Sequence, residues 1–355
     1  MKILYGVQGT GNGHTARARA MAFALKSRNV EVDFLFSGRD ESKYFSMEAF
    51  GDYQTRSGLT FITEQGKVNY AKSAVSNNLF KMHREVRELD LSRYDLVLND
   101  FEPISAWAAK QQKVPCIGIS HQNAFRFKVP KKGEGWLDQS IIKHFAPADV
   151  LIGLHWYHFG QPILPPIVHT NANHKESIDA FALVYLPFES VEEITTLLLR
   201  FMNQKFICYH PEITQEQKME NIHLKPLCHS NFQRDLHRCQ GVIANGGFEL
   251  PSESLTLGKK LLLKPLVGQF EQESNVATLE TLGLAHSMEH LDPTALRKWL
   301  DEQGAERVNY PDVAGHISDW ILKGDWEDQK ELWKSLWSKV DFPSYAITND
   351  LEFVV

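Results

Sequence analysis

Short apolar runs alternate with helix-period segments through the first half of the chain. Residues 2–7 are apolar and end at glycines, and residues 15–28 follow with helical spacing. Val30, Val32, Phe34 and Phe36 alternate as in a strand, whereas Leu79, Met82, Val86 and Leu89 share one stripe of a helix predicted over 69–89. Residues 96–99, 116–120 and 150–154 read as further short strands, separated by helical patterns at 104–112 and 139–145. Buried strands interleaved with helices predict a parallel sheet covered on both faces.

The tract Gln161-Pro162-Ile163-Leu164-Pro165-Pro166-Ile167-Val168 interrupts this pattern. Prolines at 162, 165 and 166 cannot continue a helix or a central strand, so the tract reads as a semi-rigid linker. Alternation then resumes, with strands expected at 182–186, 206–209, 241–244 and 261–263 and helices at 191–202 and 250–257. The resulting fold class is α/β, with two Rossmann-like domains facing each other across a cleft. The expected boundaries are 1–165, 166–320 and a helical tail, 321–355, packing back on the first domain. A length of 355 residues, at roughly 150 per domain, also suggests about two.

Composition narrows the classes. With 43% hydrophobic and 23% charged residues the chain matches ordinary globular proteins, which excludes a disordered or fibrous one. Thirty-eight basic against 44 acidic residues leave a net charge of -6, without the basic face that grips nucleic acid. No apolar run reaches the roughly 18–20 residues needed to span a bilayer, and the opening run is too short for a signal-peptide core. The four cysteines are dispersed with no CxxC pair, which points to reduced thiols and a cytoplasmic location.

The chemistry gathers at two glycine turns. Gly9-Thr10-Gly11-Asn12-Gly13-His14 joins the first strand to the first helix, where free N–H groups and a positive dipole end suit a phosphate or a negative charge. It fails as a dinucleotide fingerprint, because His14 occupies the third glycine's place. An imidazole there can take a proton near neutral pH. Its alternative role is to cap the helix or fill space. Asp100 ends a predicted strand, where it either orients His14 or caps the next helix. His121 follows another strand at the same edge and is a weaker candidate for contact with an acceptor. The second turn, Ala244-Asn245-Gly246-Gly247-Phe248-Glu249, again runs from strand to helix, and Glu253 falls about one turn further on. Glu253 either accepts hydrogen bonds from ribose hydroxyls or is simply a favourable charge in the first helical turn. The polar cluster Gln269-Phe270-Glu271-Gln272-Glu273-Ser274-Asn275 suits the hydroxyls of a sugar, or else is an ordinary loop and helix cap.

These three motifs, in this order and with a proline-rich linker between halves, resemble the GT-B glycosyltransferases. The resemblance is to the group of the peptidoglycan N-acetylglucosaminyltransferase and the plant and antibiotic enzymes, and within it to a little-characterised bacterial and archaeal branch. It implies an inverting, metal-independent transfer from a nucleotide-diphosphate sugar, with a UDP-sugar favoured, to an acceptor hydroxyl on a small molecule, glycan or lipid-linked carrier. No cofactor is implied beyond that donor, and no DxD metal motif is present. By position, His14 is the base and Asp100 the acid paired with it. Gly11, Asn12, Gly13 and His121 fall on the acceptor and phosphate side. Asn245, Gly246, Gly247, Phe248, Glu249, Glu253, Gln269 and Gln272 fall on the donor side, with Phe232 near the base. Glu249 and Pro251 depart from the smaller or uncharged residues common in relatives. A nucleotide-sugar epimerase of the same architecture and a non-catalytic nucleotide-sugar-binding protein are the competing expectations. The tail's Trp326, Trp333 and Trp337 have two readings, core packing or contact with the inner face of a membrane.

Overall fold

The computed structural model describes residues 1–60, 63–64, 67–68, 78–168 and 178–346. Strand β1 (Lys2–Gln8) is buried on both faces from its second residue onward, as a central strand of a doubly covered sheet must be. Around it lie β2 (Glu31–Ser37), β3 (Gln54–Arg56), β4 (Leu96–Asp100), β5 (Cys116–Ser120), β6 (Val150–Leu154) and β7 (Ile163–Leu164), in the order β3-β2-β1-β4-β5-β6-β7. Every pairing is parallel. The order reverses at β1, so the crevice beyond the carboxyl ends of β1 and β4 is the switch point where such sheets take ligands.

The second sheet repeats the plan. It comprises β8 (Phe181–Tyr185), β9 (Lys205–Tyr209), β10 (Gln217–Met219), β11 (Ile222–Lys225), β12 (Gly241–Asn245), β13 (Lys260–Lys264) and β14 (His286–Ser287). Their order is β10-β11-β9-β8-β12-β13-β14, parallel except for β10. Here the switch point lies beyond β8 and β12, the strand that feeds the second glycine turn.

Helix α1 (Asn12–Lys26) connects β1 to β2, and α2 (Leu79–Glu88) covers the C-terminal part of the helix expected at 69–89; residues 69–77 lie outside the described residues. Helices α3 (Pro103–Gln112) and α4 (Trp136–His144) complete the first half. The second half carries α5 (Val191–Leu198), α6 (His229–Arg238), α7 (Glu249–Thr256), α8 (Phe270–Thr281) and α9 (Pro293–Asp301), followed by α10 (Val313–Lys323) and α11 (Lys330–Trp337). No helix among the described residues is long and apolar enough to cross a membrane.

The proline tract is more than a linker. Ile163 and Leu164 pair with Gly153 and Leu154, making a two-residue edge strand. An edge tolerates flanking prolines because one side of its ladder is unpaired. That edge anchors the tail. The indole N–H of Trp333 donates to Gln161 O at 3.0 Å and that of Trp337 to Ile163 O at 2.7 Å, while Trp326 reaches Ile321 O at 2.8 Å. Leu332 and Leu336 of α11 are buried in the same core, and α10 packs against α1 of the first half. All three indoles are thus partly buried against the core.

Candidate active site

Two helix starts, one from each half, border a single cavity of about 350 Å³. Helix α1 begins behind Gly11, an extended N-cap with no side-chain hydrogen bond to the exposed N–H groups. Helix α7 likewise lacks a side-chain cap at Phe248. Uncapped first turns leave donors available to a ligand. Gly11, Gly13 and His14 line one wall of the cavity and Gly247, Phe248 and Glu249 the other. The first glycine turn and Gly247 of the second therefore confront each other over a shared gap.

His14 Nδ1 lies 2.8 Å from Asp100 Oδ1. Asp100 is free for this contact because Glu102 caps α3, accepting from Ile104 N at 2.8 Å and Ser105 N at 2.6 Å. The turn out of β4 is tight, and Phe101 adopts the left-handed φ of 52°, a strained backbone found where side chains must be aimed. Burial penalises the Asp100 carboxylate, but Arg17 and His14 together outweigh that and hold its pKa below the ordinary value. With Asp100 ionised, the 2.8 Å contact is a hydrogen bond when Nδ1 carries the proton, and a terminal nitrogen of Arg17 also stands 3.1 Å from Nδ1. That leaves Nε2 as the basic nitrogen, and it has no partner among the described residues.

Arg17 is the member of this site that sequence reading misses. Its guanidinium is 2% exposed, with Nε 2.8 Å from Asp100 Oδ2 and one terminal nitrogen 2.7 Å from Asp100 Oδ1. The other terminal nitrogen donates to Glu249 Oε1 in the opposite half. Burial pushes the Glu249 carboxyl up to about 8, against the opposing pull of Arg17. Glu249 also fills the space above the first glycine turn, since a Cβ on Gly13 would come within 2.8 Å of its Cγ.

The other expected residues divide into three groups. Gln269 and Gln272 line the cavity, although Gln269 also caps α8 and the Gln272 side-chain Oε1 accepts from Leu266 N at 3.0 Å. Asn12, Asn245 and Gly246 stand just outside its walls. Asn12 donates to Tyr185 OH at 3.3 Å and Asn245 to Lys264 O at 3.0 Å. Phe232 and Glu253 are also outside the cavity lining. Phe232 packs edge-on against Tyr185 and Tyr209, and Glu253 accepts from Gln233 at 3.0 Å.

His121, expected at the acceptor, lines the cavity and is also a joint between the halves. Its ring stacks on Phe248 at 3.9 Å, Nδ1 lies 2.8 Å from Leu154 O and Nε2 lies 2.6 Å from Asn275 Oδ1. Neither nitrogen remains for a ligand hydroxyl. Further links across the boundary run from Trp156 to Ser252 Oγ at 2.9 Å and from Gln122 to Glu271 at 3.0 Å. Phe101 and Phe145 stack at 4.9 Å and, with Ile141, give the first domain's side of the cavity an apolar wall.

Residues 1–303 match the family described as Glycosyl transferase family 1. No curated protein matches the sequence. Among solved structures, the chain is similar to the glycotransferase of kitacinnamycin at 14% identity and a TM-score of 0.60, covering 91% of this chain and 98% of that one. It is similar to the glycosyltransferase SsfS6 of Streptomyces sp. SF2575, complexed with thymidine diphosphate, at 12% identity and a TM-score of 0.58, covering 85% and 92%. SnogD from Streptomyces nogalater matches at 15% identity and a TM-score of 0.53, covering 92% and 95%. At these identities the likeness speaks for the fold, which is GT-B.

Proposed function

We propose that this chain, which belongs to glycosyl transferase family 1, transfers a sugar from a nucleotide-diphosphate donor to an acceptor hydroxyl with inversion and without a metal ion. One observation carries this reading: His14, which Asp100 holds, and Gly247 of the second glycine turn border the same cavity. Residues 1–165 bind the acceptor and 166–320 the donor, and the tail, 321–355, docks on the first domain through Trp333 and Trp337. The three turn motifs favour the group of the peptidoglycan N-acetylglucosaminyltransferase and the plant and antibiotic enzymes, and with it a UDP-sugar. The thymidine diphosphate bound to SsfS6 makes a thymidine donor the first alternative to test.

In this mechanism His14 Nε2 takes the proton of the acceptor hydroxyl as that oxygen attacks the anomeric carbon. The bond from that carbon to the diphosphate breaks, and the diphosphate leaves with the electron pair. Asp100 holds the tautomer and stabilises the imidazolium as it forms. General-base assistance of this kind is worth about 10²–10⁴-fold. Negative charge growing on the diphosphate meets the start of α7 beside Gly247, where N–H groups without a side-chain cap and the helix dipole take the place of a metal. Gln269 and Gln272 are suited to sugar hydroxyls, Glu253 to the ribose and Phe232 to the base. The apolar wall of Phe101, Ile141 and Phe145 favours an acceptor with an apolar body.

The test is calorimetry with UDP and thymidine diphosphate, followed by product analysis with the matching nucleotide sugars and hydroxyl acceptors. Binding of one diphosphate and sugar transfer lost in His14→Ala is the expected result. Near wild-type transfer by His14→Ala removes the base. An isomerised donor formed with no acceptor present makes the protein an epimerase.

A further inference from the structure

Arg17 lies one helical turn after His14 on α1, so both side chains project from the same face. Its guanidinium occupies both oxygens of Asp100 and also reaches Glu249, the first residue of the helix that follows the paired glycines. We propose that Arg17 is a positioning residue that ties the orientation of the His14 base to the donor-side turn, with Glu249 as its anchor across the cleft. This rests on the reading of His14 as base.

Asp100 is fully buried, and its Oδ2 has one hydrogen-bond partner among the described residues, Arg17 Nε. Without Arg17 that oxygen loses its donor inside the protein, and the carboxylate is no longer held in the rotamer that offers Oδ1 to His14. A planar fork is needed for the task, because a point charge cannot hold two oxygens of one carboxylate and a third acceptor on the other side. Arg17 in turn has no freedom of its own. Besides Asp100 it stands 3.1 Å from His14 Nδ1, and its remaining contact is fixed by Glu249, whose backbone is continuous with Gly246 and Gly247. A shift of that turn therefore moves the anchor of the guanidinium, and through Asp100 and its own contact with Nδ1 it alters the hydrogen bonding of His14. Glu249 itself touches neither His14 nor Asp100 by any hydrogen bond among the described residues.

Charge agrees with this arrangement. One guanidinium faces two carboxyls, so ionising both would leave a net negative charge among buried groups. The charged and titratable groups around Glu249 are Arg17 and His14 on α1, Asp100 after β4, Tyr5 on β1, Glu253 on its own helix and Glu271 on α8. A neutral Glu249 still accepts from Arg17 through its carbonyl oxygen, leaving the ion pair to Asp100.

The experiment is nitrogen-15 NMR of the full chain labelled at histidine, with the His14 signals identified by their loss in His14→Gln. Wild type is expected to show His14 with the proton on Nδ1. Arg17→Met and Glu249→Ala are expected to give a mixture of tautomers, and Glu249→Gln to restore the wild-type signals because its amide oxygen still accepts from Arg17. A folded Glu249→Ala protein with wild-type His14 signals overturns the proposal. Should that variant not fold, Arg17→Lys serves instead: mixed tautomers support the proposal and unchanged signals overturn it. The readout is spectroscopic, so a tautomer response without any sugar transfer sinks the functional reading and leaves the positioning claim standing. Where transfer is measured, Arg17→Met is expected to lower kcat at least about 10-fold while donor KM changes less than about 2-fold, the split expected when transition-state orientation rather than binding is lost.

Discussion

His14 Nδ1 and Asp100 Oδ1 stand 2.8 Å apart although 86 residues separate them in the chain. The contact joins the first turn of a helix to the end of the neighbouring strand, and it exists because β1 and β4 pair in parallel with Val7 opposite Asp100. Asp100→Asn keeps the shape but puts an amide where the carboxylate stabilises the imidazolium. Transfer is expected to fall by about 10²–10⁴-fold, with the fold unchanged by circular dichroism. A loss below 10-fold would remove Asp100 from the mechanism.

Glu249 predicts a pH signature in stability. Its folded pKa is pushed up to about 8 by burial, above the roughly 4.3 of an unfolded glutamate. Its contribution is therefore fully present below about pH 4.3 and is lost progressively as pH rises to about 8. Glu249→Gln has no such proton to lose. The difference in Tm, variant minus wild type, is expected to grow between pH 5 and pH 8 and to level off above that. A constant difference across that range refutes the assignment.

The paired glycines separate folding from binding. A Cβ on Gly246 would come within 2.8 Å of Gln272 O and 2.9 Å of Val276 Cγ2, so Gly246→Ala should cost about 1–3 kcal/mol by urea denaturation. A Cβ on Gly247 meets nothing within 4 Å, and it faces the cavity that Gly247 lines. Gly247→Ala is expected to stay within about 0.5 kcal/mol of wild type while weakening UDP or thymidine diphosphate binding in calorimetry. Unchanged affinity for whichever diphosphate binds would place the phosphates elsewhere.

Leu336 of α11 is fully buried, and the indoles on either side of it hydrogen-bond to the proline-tract edge. Leu336→Ala should cost about 2–5 kcal/mol in chemical denaturation. Flotation with anionic vesicles should not differ between wild type and Trp333→Ala. Vesicle binding that disappears in Trp333→Ala would instead give the tail a membrane role.

The local rhythm of the chain, read without coordinates, determined the two α/β halves, the strand ends and both glycine turns. Those features depend on neighbours a few residues apart, so His14 and Asp100 could be singled out from where they stand at element ends. Tertiary structure alone decided the rest. Arg17 and Arg19 look equivalent in the repeating Ala-Arg-Ala-Arg-Ala of the first helix, yet Arg17 is sealed between Asp100 and a carboxyl 232 residues away. His121 sits at a strand end as a ligand contact would, but Leu154 and Asn275 take both of its nitrogens. The proline tract reads as a spacer, but it becomes a sheet edge once β6 lies beside it and the tail's indoles find its carbonyls. In each case a buried polar group had to find its partner far along the chain, and no local pattern encodes which distant group folding will bring to it.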